Sequence, residues 1–353
     1  RERIEQEEGI TMKVSVVILN WNGCDMLRTF LPSVVRYSEG EGIEVCVADN
    51  GSTDASVTLL QQEFPSVRTI VLDQNYGFAD GYNLALQQVD AEYVVLLNSD
   101  VEVTEHWLEP MIAYLDKHPE VAACQPKIRS QRQKEYFEYA GAAGGFIDKY
   151  GYPFCRGRIM GVVEKDEGQY DTVIPVFWAT GAALFIRRAD YVNVGGLDGR
   201  FFAHMEEIDL CWRLRSRNRE IVCVPQSIVY HVGGATLKKE NSHKTFLNFR
   251  NNLVMLYKNL PQEELNKVMR IRTCLDYLAA FNFLLQGHWD NASAVMRARK
   301  EYKRLCPSFS LSREENMRKK TLNPIPERTK SSILWQFYAR GCKRFSQLSD
   351  LKG

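Results

Sequence analysis

The chain has 353 residues, 45% of them hydrophobic and 25% charged, enough for one large domain or two smaller ones with ample core. A disordered chain, a collagen and a disulfide-stapled miniprotein are excluded. The formal charge of +1 is a cancellation: the residues from Lys244 onward hold 21 basic and 9 acidic groups, and the rest hold 24 basic and 35 acidic. An acidic front and a basic tail predict two regions with different electrostatic partners.

In chain order, residues 1–12 read as an N-terminal extension or an added remnant, charged and without the apolar run of a signal peptide, with Met12 as a natural start. VSVVIL, Val14 to Leu19, is the short β-branched run of a strand buried on both faces, and it ends in Asn20-Trp21-Asn22-Gly23. The spacing of Met26, Leu27, Phe30, Leu31, Val34 and Val35 predicts a helix. A second strand, Glu44 to Ala48, ends in Asp49-Asn50-Gly51-Ser52-Thr53-Asp54. A helix over 55–64, a strand over 67–72, a helix over 78–89 and a strand over 93–97 complete a β-α-β-α-β-α-β order. Such alternation implies a parallel sheet with right-handed crossovers, and these sheets bind ligands at the carboxyl ends of their strands.

A helix near Glu105 to Lys117 and a strand near Val121 to Pro126 lead into a Gly- and aromatic-rich excursion, Tyr136 to Tyr170, expected to be a loop with short strands. Order returns at Val173 to Ala179, in a helix from Glu206 to Asn218, and in short strands at Ile221 to Val224 and Ile228 to Tyr230. Beyond Lys244 the sequence reads as helices broken at Pro261, Pro307, Pro324 and Pro326. The nine cysteines never form CxxC, so most of them read as buried thiols of a reducing compartment. No apolar run reaches the roughly eighteen residues needed to cross a bilayer.

Four clusters carry chemistry. In Asp49 to Asp54, Thr53 or Asp54 can cap the next helix, but Asp49, on the last position of the strand, is placed to accept the imide N–H of a pyrimidine. Asn98-Ser99-Asp100-Val101-Glu102 follows the apolar run VVLL, where a carboxylate can hold a hard cation that bridges diphosphate oxygens. Phe201 to Arg213 opens a helix with Glu206 and Glu207. They suit the helix dipole, and a carboxylate in partly apolar surroundings is also a candidate general base. His231 ends a strand before Gly233-Gly234, whose glycines permit close backbone approach, so its imidazole can serve as a metal or diphosphate ligand as well as a structural group.

Taken together, VSVVILNWN, ADNGSTD, QNYGFADGYN, LLNSDVE, WATGAALFIRR, GGLDGRFFAHMEEIDLCWR and YHVGGAT resemble a family 2 glycosyltransferase of the GT-A fold, close to bacterial rhamnosyltransferase-like members, over residues 13–260. The resemblance implies an α/β, Rossmann-like mixed sheet flanked by helices, with a helical C-terminal extension. It also implies inverting, Mg²⁺- or Mn²⁺-dependent transfer of a single sugar from a nucleotide-diphosphate donor, dTDP-rhamnose or a UDP-hexose. The acceptor would be a hydroxyl of a glycan or lipid-linked molecule in bacterial surface polysaccharide synthesis. By the same resemblance Asn20 and Asn22 border the base, Asp49 recognises it, Asn75, Gly77, Asn83 and Asn98 line the nucleotide-sugar pocket, and Asp100 and His231 hold the metal or diphosphate. Glu207 is the base with Glu206 as its possible substitute, and Trp178, Thr180, Gly181, Trp212 and Arg213 bind the acceptor.

Three departures stand out. Asn98 replaces the first acid of the DxD-type motif, Glu207 stands where Asp is usual, and Asp80 and Tyr82 replace common Gly and Asn. A sugar-nucleotide nucleotidyltransferase lacks its Gly-rich Arg/Lys loop here, and a non-catalytic sugar-nucleotide-binding protein would not need both Asp100 and Glu207. Residues 261–353 read as a basic helical region. Its cations (Arg270, Arg272, Arg297, Arg299, Lys300, Lys303, Arg304) and apolar groups match helices lying on the inner face of a membrane, or a tail packed on the catalytic domain. A cytoplasmic, peripheral location with no nucleic-acid partner is the expectation.

Overall fold

A computed structural model describes residues 12–233 and 242–349. Residues 1–11 of the expected extension and Gly234-Ala235-Thr236 of the last motif lie outside the described residues. The first half follows the expected alternation: β1 (Met12–Asn20), α1 (Cys24–Tyr37), β2 (Ile43–Asp49), α2 (Ser56–Glu63), β3 (Arg68–Val71), α3 (Gly77–Gln87) and β4 (Ala91–Asn98). Then come β5 (Val101–Val103), α4 (Glu109–Lys117) and β6 (Val121–Ser130). The strands pair in parallel in the order β4-β1-β2-β3, so the carboxyl ends of β1, β2 and β4 lie side by side.

Alternation along β1 explains why the sheet sits between two cores. Val14, Val16 and Ile18 face one way, onto Leu27, Leu31 and Val34 of α1, while Val17 faces the other, onto the core that includes Ala79, Tyr82 and Leu86 of α3. Residues spaced by three or four on a helix present one stripe to the sheet, which is why α1 buries Leu27, Phe30, Leu31 and Val34.

The Gly- and aromatic-rich excursion forms a second small sheet of four strands, β7 (Gly145–Ile147), β8 (Pro153–Cys155), β9 (Arg158–Ile159) and β10 (Val162–Val163). The expected order at 173–179 shrinks to β11 (Ile174–Pro175), and β12 (Ala183–Arg187) inserts antiparallel between β4 and β6. After α5 (Arg188–Asn193) and α6 (Glu206–Ser216), the two strands expected near 221–230 are one strand, β13 (Glu220–His231). A register shift between Val224 and Ile228 accommodates Pro225, which cannot donate to the ladder.

The tail begins as expected with α7 (Ser242–Asn259), α8 (Gln262–Leu285), α9 (Trp289–Leu305) and α10 (Ser310–Lys319). From Lys320 it is irregular, with helical turns at Trp335–Ala339 and Phe345–Gln347, and runs back over the sheet and its flanking helices. Thr329 donates its N–H to Ile147 O at 2.9 Å, Ile333 N–H to Asp148 Oδ2 at 2.9 Å, and the Phe345 ring sits 5.0 Å from Phe146. Arg215 of α6 and Glu327 form a buried ion pair at 2.6 Å. Ile325, Ile333, Phe337, Phe345 and Leu348 belong to the same core as α3 and α6, so the boundary expected near residue 260 does not separate two cores. No helix among the described residues is long and apolar enough to cross a membrane.

Candidate active site

The register that places Asn20 opposite Asp49 and Leu19 opposite Asn98 gathers three polar residues at one edge of the sheet. Asn20 Nδ2 donates to Asp49 Oδ2 at 3.2 Å, Asp49 Oδ1 accepts the Ser52 N–H at 2.9 Å, and both side chains are buried. Asn20 Oδ1 is buried without a partner. Asn22, at φ +50°, accepts the N–H groups of Thr53 (2.7 Å) and Asp54 (3.3 Å), which joins the loops after β1 and β2. Asp54 does the capping: it accepts N–H groups from Cys24 and Ser56, both at 3.0 Å, at the starts of α1 and α2. Capping therefore accounts for Asp54 and leaves Asp49 to the strand edge.

Asn50, which the motif contained but no role was assigned to, is the organiser of the neighbouring loop. It accepts the Tyr76 N–H at 3.0 Å and donates to Asn75 Oδ1 at 3.1 Å and to Gly77 O at 2.9 Å. Asn75 is exposed at this turn. Gly77 has φ +75°, and a Cβ there would lie 2.7 Å from the Phe202 ring, so glycine serves the close approach of the 202 loop as well as the turn.

Asn83 is a correction. Its Oδ1 accepts from Tyr191 Oη (2.6 Å) and Leu197 N–H (3.1 Å), and its Nδ2 donates to Leu197 O (2.8 Å) and faces Asp80 Oδ1 (3.3 Å). With every polar position committed, it ties α3 to the 191–197 turn and offers nothing to a ligand.

At the end of β4, the Asp100 Oδ1 atom lies 3.1 Å from His231 Nε2, and the Val232 N–H donates to Asp100 O at 3.1 Å. On the other side of the imidazole, Glu138 Oε2 is 3.6 Å from Nδ1, and all three side chains are buried. Burial opposes the imidazolium, but the two carboxylates outweigh it and raise His231 to about 10. Burial likewise opposes the Asp100 carboxylate, while the hydrogen bond and charge of His231 hold it below the usual carboxyl range. Glu138 comes from the excursion, far from any motif, and no sequence signal marked it.

A hard cation shared with a diphosphate needs only one or two protein carboxylates, the rest of its ligands being phosphate oxygens and water. The Asp100 carboxylate fits that limited part, with Asn98 as a neutral neighbour, whereas His231, protonated between two carboxylates, is a donor suited to a diphosphate oxygen and not to the cation. Among the described residues no group of three or more His, Cys, Asp or Glu side chains forms a self-sufficient metal cage.

Glu206 and Glu207 open α6 after a strained segment in which Phe202, His204 and Met205 all have positive φ, +66°, +70° and +72°. Such conformations are unfavourable for side-chain-bearing residues and persist where the surroundings impose them. Here Asn251 of α7 imposes them, its Nδ2 lying 2.8 to 3.0 Å from the carbonyl oxygens of Phe201, Ala203 and His204. Glu206 is 4% exposed and Glu207 is half-buried, and Oε2 of each is buried without a partner, as is His204 Nε2. Burial, then the charges of Glu207 and Asp209, raises Glu206 well above the ordinary range. Burial raises Glu207 too, against the pull of backbone N–H groups at the helix start. A Cβ on Gly181 would lie 3.8 Å from Glu207 Cβ, and the next residue, Ala182, accepts the Asn98 N–H at 3.0 Å. Glu207 is thus joined to the carboxyl end of β4 by consecutive contacts.

Four of the five residues expected to hold the acceptor face inward. Trp178 donates Nε1–H to Phe146 O at 2.9 Å and covers Gly145. Thr180 is buried and receives the Ala182 N–H at 3.2 Å. Trp212 packs edge-on against Phe177, and Arg213 is buried against Asp209 (3.0 Å) with its other N–H groups on Val194 O and Gly196 O. These are packing groups; Gly181 alone lies beside Glu207.

Residues 15–185 match the family model described as glycosyl transferase family 2. The N-acetylglucosaminyl-diphospho-decaprenol L-rhamnosyltransferase of Mycobacterium tuberculosis is 26% identical over 249 residues, covering 66% of this chain and 81% of that protein. The rhamnosyltransferase WbbL of Escherichia coli is 26% identical over 163 residues, 44% of this chain and 61% of the relative. Among solved structures, GalNAc-T7 with UDP, GalNAc and Mn²⁺ superposes with a TM-score of 0.57 at 15% identity, over 91% of this chain and 60% of that one. Staphylococcus aureus TarS 1-349 with UDP-GlcNAc gives 0.53 at 15% identity, over 87% and 89%. At these identities the two structures establish the GT-A fold.

Proposed function

With residues 15–185 belonging to glycosyltransferase family 2, we propose that this enzyme moves one sugar, with inversion, from a dTDP-rhamnose or UDP-hexose donor to a hydroxyl of a lipid-linked or glycan acceptor in surface polysaccharide synthesis. The observation that carries the reading is Glu207: a half-buried carboxylate with an orphaned oxygen, raised affinity for a proton, and a place beside Gly181 at the carboxyl end of the sheet. Glu207 takes the proton of the acceptor hydroxyl as that oxygen bonds to the anomeric carbon and the bond to the nucleoside diphosphate breaks on the opposite face. Glu206 is buried more deeply than Glu207, which favours Glu207 as the group that meets the acceptor.

In this reading Asn20 and Asp49 would meet the base and Asn98 the diphosphate, Asp100 would hold a Mg²⁺ or Mn²⁺ ion, and the protonated His231 would donate to a diphosphate oxygen. Such an ion supplies charge stabilisation for the departing diphosphate. The names of the rhamnosyltransferase relatives support rhamnose as the transferred sugar, and the mycobacterial relative's name supports a polyprenyl-diphosphate acceptor. An acceptor of that kind sits at the cytoplasmic face of a membrane, where the enzyme would work as a peripheral protein. A thermal-shift screen of dTDP-, UDP- and GDP-sugars with Mn²⁺ tests the donor, since a ligand at a hundredfold its Kd adds about 2.7 kcal/mol of stability. Stabilisation by dTDP-rhamnose or a UDP-hexose is expected; no shift with any of them contradicts the reading.

A further inference from the structure

We propose that the α8–α9 hairpin is the surface by which the enzyme docks on an anionic phospholipid bilayer, an inference that rests on the reading of a membrane-held acceptor. The observation is an inverted helix. On α8 the ion pairs face inward: Asp276, fully buried, receives Arg272 from its own helix and Arg299 from α9. Tyr277, Leu278, Phe281, Leu284 and Leu285, spaced by three and four, form an exposed stripe on the other side. Leu285 is 72% exposed and Trp289, at the start of α9, 70%. Soluble monomers seldom leave so much contiguous large apolar surface uncovered.

The occupant follows from the charges around the stripe. Lys267 and Arg270 precede it on α8, and Arg297, Lys300 and Lys303 line the exposed side of α9, against exposed Glu263 and Asp290, while Arg304 is paired with Glu301. Apolar and aromatic side chains rimmed by Lys and Arg match a helix lying in the headgroup region of an anionic leaflet. A second copy docking about a two-fold axis would set these cations against one another. Arg272, Arg299 and Arg304, expected among the docking cations, drop out because their charges are spent on Asp276 and Glu301. The surface belongs to the same helical layer as the catalytic loop: Thr245 of α7 donates to Asn291 of α9 at 3.2 Å, and Asn251 of α7 holds residues 201–204.

The test is co-sedimentation of the full chain with vesicles of phosphatidylcholine, with and without phosphatidylglycerol. Binding only to the anionic vesicles is expected, weakening with salt and falling at least about tenfold in Phe281→Glu/Leu285→Glu and in Lys300→Glu/Lys303→Glu. Both double variants should keep parental donor turnover with a soluble acceptor, because none of these residues touches the site. No binding by the parent, or equal binding by the variants, overturns the proposal. A dimer by light scattering that Phe281→Glu dissociates overturns it in favour of a second copy. Salt-sensitive vesicle binding with no sugar transfer would sink the proposed function and leave the docking surface standing.

Discussion

Asp100 Oδ1 and His231 Nε2 lie 3.1 Å apart although 131 residues separate them, because β5, which follows Asp100, pairs antiparallel with the end of β13. This pair is the point where donor and cation chemistry would meet. Asp100→Asn, and separately chelation of divalent ions, should weaken binding of the nucleotide-sugar by about tenfold or more, the scale of losing a charge-assisted contact. Calorimetric titration of the donor with Mn²⁺ measures this, and equal affinity in parent and variant would remove Asp100 from the donor site.

Gly77 and Phe202 provide a steric prediction. Gly77→Ala puts a Cβ against the Phe202 ring at a residue already at φ +75°. A loss of about 1–3 kcal/mol is expected from strain at such a position. Activity should fall as well, since the displaced loop carries the strained residues before Glu206. Denaturant unfolding and turnover on the same preparation would read both effects.

Glu206 gives a pH dependence whose sign is fixed. Burial and the charges of Glu207 and Asp209 raise its folded-state pKa, so its contribution to stability is fully present below the ordinary carboxyl range. That contribution is lost as pH rises through the folded value. Glu206→Gln should therefore raise Tm near neutral pH by about 2 °C, roughly what 1 kcal/mol is worth in a chain of this size, with the gain shrinking in acid. A variant less stable than the parent at neutral pH would contradict this.

Arg215 and Glu327 test the integration of the tail. Removing one partner of a buried ion pair leaves the other charge uncompensated and costs about 3–5 kcal/mol. Glu327→Gln should therefore lower the unfolding midpoint of the whole protein in one transition. A separate early transition of the tail, with the rest unchanged, would mean that residues 320–349 are independent of the catalytic core.

Strands β1 and β4 are legible because a strand buried on both faces shows itself as an unbroken apolar, largely β-branched run, and the edge strand β3 is legible from its short β-branched run although most of it is exposed; the polar ends of β1, β2 and β4 then mark the crevice. The second sheet was not legible: strands of two or three residues, such as Arg158–Ile159, carry no periodicity. Strand β12 was missed because ALFIR reads equally well as helix, and its antiparallel insertion is a tertiary choice. Asp49, Asp100, Glu207 and His231 are singled out by their positions at element ends. Trp178, Trp212 and Arg213 were misplaced because resemblance locates a residue in a motif without saying which way it faces. Glu138 and Asn251 reach the site from segments with no local signature, and only packing reveals them. The tail's charge asymmetry was visible, but its division into buried pairs and an exposed rim depends on which face of α8 meets the protein.

The most direct measurement is sugar transfer by Glu207→Gln, with donor affinity determined in parallel. General-base assistance contributes about 10²- to 10⁴-fold, so kcat should fall by that factor while donor Kd stays near the parental value. In the parent, the acid limb of the rate profile should lie above the ordinary carboxyl range, since burial raises Glu207 and the rate requires its ionised form. An unchanged kcat in Glu207→Gln would contradict the assignment of the base, and with it the central claim.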